Sequence, residues 1–150
     1  MFKFIVGIVV LLVLTSCGGS GGETPEKYMQ AGFKHFQKQE YDQAIANFQK
    51  ALELAPKAAA AYNMLGMAYR FKADHLGLPG LRAKEIAAFQ KALKADPKYW
   101  VAMINLGATY YKQGDKAKAA ALFKKALALN PQHPEKAQLE KMIAAGEAKS

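Results

Sequence analysis

The chain has 150 residues, enough for one domain and too few for two large lobes closing on a cleft. Its single cysteine and three scattered histidines (His35, His75, His133) exclude an internal disulfide framework and a multi-cysteine zinc or iron–sulfur site. With 21 basic and 12 acidic residues the formal charge is +9, and the 51% apolar content is inflated by one N-terminal run.

That run comes first in chain order. Lys3 precedes an apolar stretch from Phe4 to Leu14. A helix that crosses a bilayer needs about 20 apolar residues, so this shorter run fits the core of a secretory signal peptide. Leu14-Thr15-Ser16-Cys17 follows at once, and it resembles the lipobox of bacterial lipoproteins. The resemblance implies a signal peptide over residues 1–16, export, cleavage before Cys17, and acyl chains (palmitate among them) on Cys17. No cofactor is expected beyond this covalent lipid. Residues 17–24 then carry the lipidated cysteine and a flexible Gly/Ser-rich tether, Gly18-Gly19-Ser20-Gly21-Gly22. Each buried methylene stabilises such an anchor by about 0.8 kcal/mol, so several acyl chains give lasting attachment. In enteric bacteria an aspartate after the cysteine retains lipoproteins at the inner membrane. Gly18 in its place implies the periplasmic side of the outer membrane in a cell with two membranes, and otherwise the outer face of the cell membrane.

The remaining chain repeats itself. Ala31-Gly32 is followed by Ala44, Phe48, Ala51 and Pro56; Leu65-Gly66 by Tyr69, Phe89, Ala92 and Pro97; Leu106-Gly107 by Tyr110, Ala119, Phe123, Ala126 and Pro131. Gly32 to Gly66 is 34 residues, and so is Pro97 to Pro131. Glycine and alanine let two helices approach closely, the phenylalanines fill space between one repeat and the next, and the prolines end each unit. A helix–turn–helix repeat of about 34 residues with these positions resembles the tetratricopeptide family. The resemblance implies an all-α, right-handed solenoid of three repeats, at residues 25–58, 59–99 and 100–133. A capping helix and tail follow at 134–150, since a solenoid needs a polar end.

Helices are predicted at 25–38, 41–54, 59–73, 82–95, 99–112, 115–129 and 134–145. The last lacks the repeat's glycine and carries Glu135, Lys136, Glu140 and Lys141. Repeat two departs twice from the pattern. Seven extra residues fall in a loop at 74–81, where Pro79 and two glycines oppose a continuous helix. Its Leu76, Leu78 and Leu81 either fold back over neighbouring helices or present an apolar contact to a partner. The second departure is Glu85, which stands where repeats one and three have Ala44 and Ala119. Either the register shifts locally, or the carboxylate reaches solvent along its stem.

Domains resembling this one bind protein segments on the concave face, lined by each repeat's first helix. The positions implied for that groove are Met29, Phe33, Phe36, Asn63, Met67, Arg70, Ile104, Ala108, Tyr111 and Lys112. Several of these are equally expected as core. One branch of the family grips C-terminal carboxylates with lysine, arginine and asparagine. The corresponding places here are Met29, Phe33, Met64, Val101 and Asn105, which argues against such a clamp.

The excess charge is local. Residues 82–125 hold ten basic and three acidic groups. Beside Lys112, the basic patch comprises Arg82, Lys84, Lys91, Lys94, Lys98, Lys116, Lys118, Lys124 and Lys125, mostly on second helices. It is either a solvated surface or a dock for anionic lipid, polymer or an acidic partner. Nucleic acid is a poor candidate for an exported chain without a recognised binding module. No Gly-x-Ser-x-Gly, His-Glu-x-x-His or phosphate-binding glycine loop occurs, so no catalytic or metal-ligating residue is assigned. The expectation is a membrane-tethered protein-interaction module of the bacterial cell envelope, an adaptor or assembly factor rather than an enzyme. The alternative is a basic surface that docks anionic envelope lipid or polymer, with the repeats as scaffold.

Overall fold

The computed structural model describes residues 22–148. The expected signal peptide, Cys17 and most of the tether lie outside the described residues. Those described form seven α-helices and no strand: α1 Pro25–Gln37, α2 Tyr41–Leu54, α3 Ala59–Leu76, α4 Arg82–Ala95, α5 Trp100–Lys112, α6 Lys116–Leu129 and α7 Lys136–Glu147. Each packs chiefly on the helix before and the helix after it, and the first helices α1, α3 and α5 also touch in sequence. This is a solenoid of three helical hairpins with a terminal helix.

Local chemistry sets the ends of the elements. Thr24 accepts a hydrogen bond from the Lys27 amide at 3.2 Å, with Pro25 at the first helical position of α1. Asp115 does the same for α6 through the Lys118 amide at 3.2 Å. The turn from α5 to α6 uses Gly114 at φ 87°, a left-handed conformation that suits glycine. The equivalent turn in the first hairpin places Gln39 at φ 63°.

The hairpins close through one repeated contact. A Cβ added to Gly32 would come within 2.6 Å of the Phe48 ring, and the same holds for Gly66 against Phe89 and Gly107 against Phe123. All three rings are fully buried. To the expected role between repeats each ring adds a second: its edge presses on the glycine of its own hairpin. Phe48 also shares a core with Ala61, Leu65 and Ala68 of α3, so it serves both seams.

The insertion differs from the expected loop at 74–81. Helix α3 continues through Asp74 to Leu76, three residues past its predicted end, and residues Pro79–Leu81 form a 3-10 turn. The extra turn is held from the side, because Asp74 accepts bonds from Arg82 at 2.6 Å and Lys112 at 3.1 Å. Gly77 then caps the helix in the left-handed region. Leu76 and Leu78 are exposed and only Leu81 is half-buried, so the fold-back reading fails for the first two.

Helix α7 closes the stack. Leu139 and Ile143 pack into one core with Ala119, Ala120 and Phe123, while Glu135, Lys136, Glu140 and Lys141 are exposed. It lacks the seam glycine, yet Gly146 brings it directly onto the Lys116 carbonyl and Ala120 of α6.

Candidate functional site

The first helices present one continuous row. Phe36 of α1 meets Phe71 of α3 edge-on, with ring centroids 5.3 Å apart. Tyr41 stacks on Phe71 at 6.4 Å, and His75 lies edge-on to Tyr41. Further along, Asn105 of α5 donates to Asn63 of α3 at 2.9 Å. The row is therefore aromatic where α1 meets α3 and polar where α3 meets α5.

The expected groove residues divide accordingly. Phe33 is 47% exposed, and Met29 and Phe36 are half-buried against the first core. Met67 and Ala108 are half-buried, and Ile104 and Tyr111 pack partly against the second core. Lys112 is exposed and tied to Asp74. Asn63 is buried and held by Asn105. Phe71, 42% exposed, was not among the predicted residues. It stands five positions after Gly66, as Lys112 does after Gly107, so the repeat register could have found it.

Arg70 is committed within the chain. Its Nε donates to Glu85 at 2.8 Å, Nη1 to the Asn105 side chain at 3.3 Å, and Nη2 to the Asn105 carbonyl at 2.6 Å and the Thr109 hydroxyl at 2.8 Å. Its guanidinium lies 5.0 Å from the Phe89 ring centre. Glu85 is fully buried; it also accepts from Arg82 at 2.6 Å and from the Thr109 hydroxyl. Neither expectation for Glu85 holds. The register is intact, because Phe89 still meets Gly66, and the carboxylate turns inward to two arginines instead of reaching solvent. A buried charge persists only when paired and hydrogen-bonded, and Glu85 has both conditions. Arg82 consequently belongs to this network rather than to a free basic patch. Asp74, its other partner, is held below the usual carboxylate range by the Arg82 hydrogen bond, with Lys112 adding to the effect.

The lysines expected to form a basic patch are mostly exposed. Lys84, Lys91, Lys94 and Lys98 are exposed on or after α4, as are Lys118, Lys124 and Lys125 on α6; Lys116 is half-buried. Lys118 pairs with Asp115 at 2.7 Å and Lys124 with Glu147. Aromatic rings lie under several ammonium groups: Tyr69 under Lys84, Tyr62 under Lys91, Tyr111 under Lys116 and Tyr110 under Lys118. Across the repeats, Gln49 donates to the Tyr69 hydroxyl at 3.4 Å and Gln90 to that of Tyr110 at 3.3 Å. Burial raises the Tyr69 phenol above its ordinary range.

Stacked hairpins with a glycine–phenylalanine seam, a first-helix row and a polar terminal helix define a helical-repeat scaffold. Comparison with known proteins agrees. A TPR repeat model matches residues 32–70, and a tetratricopeptide repeat model matches residues 100–133. The chain belongs to the tetratricopeptide-repeat family. Solved structures share its fold. The TPR domain of Arabidopsis OM64 is similar at TM-score 0.69 and 21% identity, over 81% of this chain and 94% of that one. The Yersinia enterocolitica type III secretion chaperone SycD, in complex with a peptide of the translocator YopD, gives 0.70 and 19%, over 83% and 92%. The TPR2B domain of yeast Sti1, in complex with pHsp70, gives 0.68 and 17%, over 84% and 98%. No curated protein matches the chain.

Proposed function

We propose that this protein is a non-enzymatic protein-interaction module, lipid-anchored through Cys17 to a bacterial membrane, which seats an extended partner segment on the row formed by α1, α3 and α5. Within the envelope it acts as an adaptor or assembly factor. The observation that carries the groove reading is the exposed aromatic row of Phe33 and Phe71 around Phe36. Exposed aromatics grouped at a helix junction suit a protein contact, since they bury much area with few torsions to freeze. Support also comes from SycD and Sti1, whose similar folds were solved with a translocator peptide and with pHsp70. The anchor reading rests on the lipobox resemblance around Cys17.

Affinity capture from envelope extracts tests the groove, comparing the native chain with the double variant Phe33→Ala, Met67→Ala. The variant is expected to lose the principal partner; identical partner lists would remove this row as the binding surface. Cys17→Ala is expected to leave the protein unacylated and released from membranes. A full-length variant that still sediments with membranes would sink the anchor.

A further inference from the structure

The face away from the aromatic row carries a trough between α2 and α4, floored by α3. Three adjoining cavities of about 490, 460 and 380 Å³ make it up, and Lys91 lines all three. Tyr62 and Tyr69 lie along the floor, while Lys57, Lys84, Lys91 and Lys94 stand around it. None of these four lysines has a carboxylate within ion-pair distance among the described residues. The ammonium groups of Lys84 and Lys91 lie 5.9 Å from the Tyr69 and Tyr62 ring centres, which favours conformations that overhang the trough. One acid, Glu53, stands on the wall.

We infer that this trough binds an extended acidic polypeptide segment, at a site separate from the aromatic row. Three observations point to that occupant. Four unneutralised positive charges against one negative call for an anionic ligand. Along α4, Lys84, Lys91 and Lys94 rise by about 10 and then about 5 Å, at about 1.5 Å per residue. An extended chain advances about 3.3 Å per residue, so carboxylates about three and then one or two residues apart match those steps. The tyrosine floor is recessed between two helices. A narrow peptide chain reaches it, whereas a flat lipid surface meets only the rims.

The test uses the full-length chain, reconstituted in phosphatidylcholine vesicles and titrated with a fluorescent ten-residue oligoglutamate peptide. The triple variant Lys84→Gln, Lys91→Gln, Lys94→Gln is expected to weaken binding about tenfold, equivalent to about 1.4 kcal/mol over the three exposed pairs. Lys27→Gln, Lys34→Gln, Lys38→Gln removes the same charge from α1 and the residue that caps it, and is expected to change it less than about threefold. Glu53→Lys, at an exposed site, is expected to tighten it. Equal losses in the two triple variants would overturn the trough in favour of diffuse attraction, and absence of peptide binding would overturn it outright. Trough-dependent capture of phosphatidylglycerol vesicles, without peptide binding, would assign the surface to lipid instead. Because the aromatic row is untouched, these results stand apart from the Phe33→Ala, Met67→Ala capture.

Discussion

Glu85 holds a position that Ala44 and Ala119 occupy in the other hairpins, and its surroundings are rebuilt around it. Arg70, Arg82 and Thr109 converge on one carboxylate, and they come from α3, α4 and α5. Removing one partner of a buried pair costs about 3–5 kcal/mol, because the other charge is left uncompensated. Glu85→Ala is therefore expected to destabilise strongly in denaturant unfolding, although alanine is the residue of the sister repeats. Adding Arg70→Leu should recover at least about 1 kcal/mol. A neutral Glu85→Ala, or strict additivity, would contradict this account. Asp74 makes a pH-dependent contribution beside it. Its carboxyl is lowered in the folded state, so its contribution is complete above the ordinary carboxylate value of about 4 and is lost as pH falls through the lowered one. Asp74→Asn should flatten the acid limb of a stability–pH curve measured between about pH 5 and 2.

At the level of elements, the turns differ more than the helices. The α1–α2 and α5–α6 turns share a left-handed residue seven positions after the seam glycine, but the first uses Gln39 and the second Gly114. A side chain in that region costs about 1–2 kcal/mol, part of which glycine gives back through its freer unfolded chain. Gln39→Gly is expected to raise stability by about 0.5–1 kcal/mol, read as a higher denaturation midpoint at unchanged slope. A lower midpoint would mean that the Gln39 side chain makes a contact worth more than the strain. Between α3 and α4, the seven inserted residues become an extra helical turn plus a 3-10 turn. Asp74 thereby reaches Arg82 and Lys112, which joins α3, α4 and α5 on one side.

For the whole molecule, stacking in one dimension makes the ends critical, because each unit is supported by its neighbours alone. Helix α7 covers Ala119, Ala120 and Phe123 through Leu139 and Ile143, and it can do so only by lying almost on the α6 backbone at Gly146. Gly146→Leu is expected to undock α7 and expose that apolar face. Sedimentation should then show self-association that the native chain lacks at the same concentration; unchanged sedimentation would place the stabilising contacts elsewhere. The two long faces are also chemically distinct. One carries the aromatic row, the other the lysines of α4 and α6 over tyrosine rings.

The helices and their stacking were legible in the amino-acid order, because a 34-residue recurrence of glycine, alanine, phenylalanine and proline records local geometry and nearest-neighbour packing. The predicted helix starts lie within two residues of those observed, since caps and prolines act over a few residues. Glu85 was not legible in this way, because its burial depends on Arg70 and Thr109, 15 and 24 residues away, and no local pattern carries that distance. The same holds for the Asp74 staple, the Gly146 crossing and the trough. Each requires side chains from separate helices to meet, and only the stacking angle of the assembled hairpins brings them together.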